Sequence, residues 1–216
     1  HFAAADDLAE NSFTARQTAQ FDEVAAVFRD RGFRPAFVDL ANSPGAIAHP
    51  RSRADMVRLG GVLYGLSGDV IPAGIEKPEL KPVLSLHTEI AQLKHVALGT
   101  SIGYGRTFVA TRESLIGTAP IGYGDGVRRG LAARGRAIVN GTVVPIVGRV
   151  SMDWITVDLT AIPDVSVGDV VILIGSDGKN SITAEDVARD AGTISYEITS
   201  GISARVPRRY IGQETA

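Results

Sequence analysis

The chain has 216 residues, 44% of them hydrophobic and 21% charged, which is enough for one substantial core or two small ones. A net charge of -2 and a pI near 6.1 give no electrostatic footprint for nucleic acid. No apolar run approaches the roughly 20 residues of a membrane span and no charged-then-apolar leader opens the chain, so a soluble, cytoplasmic protein is expected; zero cysteines exclude disulfides, thiolate metal ligands and a cysteine nucleophile.

The opening His1-Phe2-Ala3-Ala4-Ala5-Asp6 carries no initiator Met and predicts that further chain precedes it. Phe21, Val24, Ala25 and Phe28 follow helical spacing and predict an amphipathic helix within 13–32, closed by Gly32. A short apolar strand is expected over 36–40, ending at Asn42-Ser43, and a second over 56–65. Helix, strand, loop, strand is the pattern of α/β barrel units, whose strand ends carry function. One helix and two strands cannot close a barrel, so residues 1–80 read as the C-terminal part of a TIM-type (β/α)8 barrel.

The pattern turns to β beyond the segment between Pro72 and Pro82. Leu84, Leu86 and Ile90 alternate with Ser85, His87 and Glu89, the two-residue period of a half-buried strand. Asn140-Gly141 between two apolar runs predicts a hairpin. Strands are also expected over 154–159 and 169–174, with a turn at Asp177-Gly178. Thr183 followed by Glu185 and Asp186 opens a short helix that Gly192 ends. Residues 81–216 therefore read as a mainly β-stranded domain with one or two late helices.

Three glycine-framed segments stand out: 101–106 around Tyr104, 121–126 around Tyr123 and Asp125, and 145–153 around Arg149, Met152 and Asp153. Each projects a large polar side chain from backbone that can turn tightly or approach a ligand. Any one of them alone reads first as a hairpin turn with an aromatic ring packed over glycine, and the three together point to a site. His49, His87 and His95 show no ligand spacing, and no metal site is expected.

These segments, together with Met56-Val57-Arg58, Arg205-Val206-Pro207-Arg208 and the opening His1 segment, resemble the alanine racemase family in order and separation, over essentially the whole chain. The resemblance implies a pyridoxal 5'-phosphate enzyme that interconverts L- and D-alanine, supplies D-alanine for peptidoglycan, and works as a homodimer with shared active sites. It implies that Tyr104 is a catalytic acid–base given to the partner subunit's site, that Arg58 and His1 supply the positive or hydrogen-bonded neighbourhood Tyr104 needs, and that Arg58 also faces the pyridine nitrogen. Ser43, Gly60 and Gly61 match the phosphate cup. The Met152 N–H and Asp153 match substrate-binding positions, while Tyr123, Arg129, Arg149 and Asp6 match substrate-access positions. Arg129 is equally a solvated member of the Arg128-Arg129 pair.

Two departures are visible. Ala204 stands where many members carry a phosphate-contacting tyrosine. The second is the lysine that such an enzyme needs as cofactor anchor and second base: Lys77, Lys81, Lys94 and Lys179 are the only lysines, and none lies in the family's lysine motif. The chain is thus expected to be inactive alone. A serine or broader-specificity racemase on the same scaffold, and a non-catalytic β module that only dimerises, are the alternatives.

Overall fold

The computed structural model describes residues 1–212; residues 213–216 of the expected β domain lie outside them. Two compact units follow one another, dividing after Val83.

In the first unit, α1 spans Asn11–Asp30 and ends before Gly32, whose φ of +82° suits a residue without a Cβ. The predicted helix is present, yet its apolar stripe is mostly open: Val24 and Phe28 are exposed, while Phe21 packs against the buried cluster of Phe2, Ala5 and Leu40. Periodicity finds the apolar face of a helix but not what lies on it. Strand β1 covers Asp39–Asn42 and pairs in parallel with β2, Met56–Arg58, through a connection that contains the short helix α2, Ser43–Ala48.

Both strands differ from their predicted bounds. The first begins three residues later, with Phe37 exposed before it. The second stops at Arg58, because Gly60 turns the backbone into the 3-10 turn Gly61–Tyr64. Gly65 at φ +78° closes that turn, and a Cβ there would strike the Lys81 carbonyl at 2.2 Å.

The second unit is built on an eight-stranded antiparallel sheet. Its strands are β3 (Leu86–Glu89), β4 (Gln92–Val96), β7 (Ser114–Ala119), β8 (Arg136–Val139), β9 (Thr142–Val147), β10 (Ile155–Asp158), β11 (Val170–Ser176) and β12 (Ser181–Ile182). The path runs β12-β11-β8-β9-β10-β7-β4, with β3 also paired to β11. A separate two-stranded ribbon joins β5, Ser101–Ile102, to β6, Phe108–Val109.

Alternation along β3 is as predicted: Leu86 and Ile90 are buried, and Ser85, His87 and Glu89 are exposed. Asn140 and Gly141 have φ of +46° and +75°, the two positive values of a tight hairpin turn, and join β8 to β9. Ile138, Ile146, Ile155 and Val157 form part of the resulting core, each burial contributing about 1.5–3 kcal/mol.

Two late helices follow, α3 (Ala184–Ala191) and α4 (Ser195–Ser200). The first carries a full capping box: the Thr183 hydroxyl accepts from the Asp186 N–H, and the Asp186 carboxylate accepts from the Thr183 N–H. No helix among the described residues is long and apolar enough to cross a membrane.

Candidate active site

In the first unit, the strand ends gather the residues expected to hold a cofactor. Asn42 closes β1 and caps α2, its side-chain oxygen accepting from the Gly45 N–H at 3.0 Å. The next residue, Ser43, is buried, and its hydroxyl accepts from the Gly60 N–H at 2.9 Å. Gly61, also buried, begins the 3-10 turn. Ser43 and the Gly60-Gly61 pair, 17 residues apart, thus meet because β1 and β2 end side by side. The accepting hydroxyl keeps its own hydrogen to donate.

Arg58 ends β2. Its guanidinium lies 2.9 Å from His1 Nδ1, pairs with Asp39 and reaches the Leu40 carbonyl at 3.4 Å. The other ring nitrogen of His1 lies 3.4 Å from the Asn42 amide. A permanently charged guanidinium is therefore fixed by a carboxylate, an imidazole and a carbonyl. Asp6 is exposed and takes no part in this cluster.

The three glycine-framed segments of the second unit come together. Tyr104, flanked by Gly103 at φ +75° and Gly105 at φ +69°, is 72% exposed. A Cβ on Gly105 would lie 3.1 Å from the Arg149 guanidinium carbon, and one on Gly103 would lie 3.2 Å from the Arg149 backbone nitrogen. These glycines let the Tyr104 turn rest on Gly148-Arg149.

The 121–126 loop lies along the 151–153 segment. Tyr123 donates its N–H to the Ser151 carbonyl at 2.9 Å and Gly124 to the Met152 carbonyl at 2.8 Å. Gly122 is required by close approach, since a Cβ would sit 2.3 Å from the Ser151 oxygen. Tyr123 and Arg129 line one open cleft of about 570 Å3 with Gly126, Val127, Arg128 and Gly201.

Asp125 and Arg205 hold this arrangement together through contacts that no local sequence pattern signals. Asp125 is buried, accepting from the Gly122 N–H at 2.8 Å and from Arg205 Nε at 3.0 Å. Arg205 also donates to Asp153 at 2.6 Å. The hydrogen bond that Arg205 donates to Asp153, and next the charge of Asp125, hold the Arg205 guanidinium above its ordinary pKa. Ala204 is exposed beside it.

The four lysines are all exposed. Lys77 and Lys81 lie in the irregular segment before Val83, Lys94 on β4, and Lys179 in the turn between β11 and β12.

Residues 1–68 match the family model described as alanine racemase, N-terminal domain, and residues 83–210 match alanine racemase, C-terminal domain. The chain belongs to the alanine racemase family. It is 44% identical to the alanine racemase of Geobacter sulfurreducens, across 98% of this chain and 56% of that protein. With the alanine racemase of Halothermothrix orenii the identity is 45%, across 97% of this chain and 55% of the relative.

The crystal structure of the Bacillus anthracis alanine racemase with bound L-Ala-P superposes with a TM-score of 0.90 at 40% identity, covering 100% of this chain and 55% of that one. The Bartonella henselae alanine racemase with covalently bound pyridoxal phosphate gives 0.83 at 34% identity, covering 98% of this chain and 55% of that one. The chain thus spans about half the length of the relatives it matches. Its fold is that of the family: part of an α/β barrel followed by a β domain.

Proposed function

We propose that the protein to which this chain belongs is a pyridoxal-phosphate-dependent alanine racemase, acting in the cytoplasm as a homodimer and supplying D-alanine for peptidoglycan. The observation that carries this reading is the cluster at the ends of β1 and β2. A buried hydroxyl and two glycines, a set suited to a phosphate, lie on the same strand pair as an arginine whose charge is fixed by Asp39 and His1.

The donor set fits the cofactor. Ser43 would donate its hydroxyl hydrogen to the phosphate, and the small Gly60 and Gly61 would let the backbone approach it. Arg58 would donate to the pyridine nitrogen, and its permanent charge keeps a proton off that nitrogen. Bound pyridoxal phosphate supplies a sink for the electron pair left at the substrate α-carbon when its proton departs.

Tyr104 of the partner subunit would hold or take that proton on one face. Arg58 and His1 would stand beside its hydroxyl as hydrogen-bonding partners. A lysine outside the four present here would serve the other face. The Met152 N–H would orient the substrate carboxylate, with Asp153 shaping the site. Tyr123, Arg129, Arg149 and Asp6 would line the approach.

The test is to incubate the complete protein with pyridoxal phosphate and either enantiomer of alanine, following optical rotation, with serine alongside. Alanine should approach a 1:1 mixture from both sides, faster than serine. Faster serine turnover would move the protein to the broader-specificity reading, and no turnover of either would remove the racemase assignment.

A further inference from the structure

We infer that Arg205 is a positioning residue that clamps the Tyr123 loop to the Met152-Asp153 segment and thereby sets substrate affinity; this rests on the racemase reading above. Asp125 is a carboxylate that is buried and fully engaged. One oxygen takes the Gly122 N–H at 2.8 Å, the other takes Arg205 Nε at 3.0 Å, and its backbone carbonyl takes the Ser203 N–H at 3.0 Å. The loop is thus joined both to itself and to the chain's last segment.

Arg205 then spans two carboxylates. Its Nη2 donates to Asp153 at 2.6 Å while Nε remains on Asp125, as only a planar fork with several donors can do. A Cβ on Gly124 would lie 2.9 Å from the guanidinium, so the glycine makes room for it. Arg208 fixes the segment in turn, donating to the Ile202 carbonyl at 2.8 Å, the Val206 carbonyl at 2.6 Å and the Ser203 carbonyl.

The consequence falls on Met152 and Asp153. Their segment receives two backbone N–H groups from the loop, at Ser151 and Met152, and one guanidinium at Asp153. Removing the guanidinium leaves Asp125 buried without its cation and Asp153 without its anchor. The loop and segment should then shift against each other. Among the described residues no hydrogen bond or ion pair joins Arg205 to Tyr104, so binding should suffer more than turnover.

The test uses the complete protein carrying Arg205→Met or Arg205→Lys. Two readouts apply: steady-state racemisation of alanine, and amide hydrogen exchange in peptides covering 121–126 and 150–154. Arg205→Met should raise KM about tenfold with kcat within about twofold, and speed exchange in both peptides. Arg205→Lys keeps the charge but cannot reach both carboxylates, and should fall between. A fall in kcat at constant KM, unchanged exchange, or faster exchange without a KM change would each overturn the inference. If the unmodified protein does not racemise alanine, the functional reading fails, while the exchange experiment still decides whether the clamp exists. Should Arg205→Met not fold, Arg205→Lys decides alone.

Discussion

Tyr104 is carried on a turn whose two flanking glycines sit at positive φ, so its phenol projects from a short, well-defined stretch of backbone instead of packing into the sheet. Losing only the hydroxyl should therefore leave the fold and the cofactor cup alone. In the complete protein, Tyr104→Phe is expected to keep the bound-cofactor absorption while kcat falls about 10²–10⁴-fold, the usual span for one acid–base. Equal loss of cofactor would give Tyr104 a structural role. Ser43 predicts the opposite split. Ser43→Ala deletes a buried hydroxyl and leaves the Gly60 N–H without its acceptor. Cofactor should dissociate about tenfold more readily, the size of one hydrogen bond to a charged group, with turnover at saturating cofactor little changed. Titration of apoprotein with pyridoxal phosphate reads this directly.

The elements that hold these residues differ in how far local sequence determines them. The capping box of α3 predicts that Thr183→Ala costs about 1 kcal/mol in denaturant unfolding, and no change would mean that packing alone holds the helix. Asp186 of that box has a lowered pKa: burial opposes the shift, and hydrogen bonds from Thr183 and Arg189 outweigh it. A lowered folded pKa gives stability that is present above the unfolded value of about 3.9 and lost as pH falls through the folded value. The stability gap between the native protein and Asp186→Asn should therefore be full near neutrality and close below about pH 4. A gap that does not narrow as pH falls below about 4 would show that the charge is not its source. The capping box, the Asn140-Gly141 hairpin and the alternation of β3 were legible because each is decided within a few residues. The bounds of β1 and β2 were not, since a turn at Gly60 and pairing across the strands decide them. The motif around Arg205 was visible, but its contact with Asp125 joins residues 80 apart, and only the fold brings them together.

On the scale of the whole molecule, the chain divides the proposed chemistry between its two units. Arg58, His1 and Ser43 belong to the first, and Tyr104, Met152 and Asp153 to the second. None of its four lysines sits at the ends of β1 and β2. The isolated 216-residue chain is accordingly expected to retain no pyridoxal phosphate after borohydride treatment and gel filtration, and to leave L-alanine unchanged. Stoichiometric retention with turnover would make one of Lys77, Lys81, Lys94 or Lys179 the anchor. In the complete protein, the proposal of a site shared between subunits is tested most directly by co-expressing two inactive variants, Tyr104→Phe and one lacking the anchoring lysine, with different affinity tags. If Tyr104 serves the partner subunit, mixed dimers purified through both tags contain one intact site and should recover close to half of the native activity per dimer. Mixed dimers of confirmed composition with no activity would contradict a site shared between subunits.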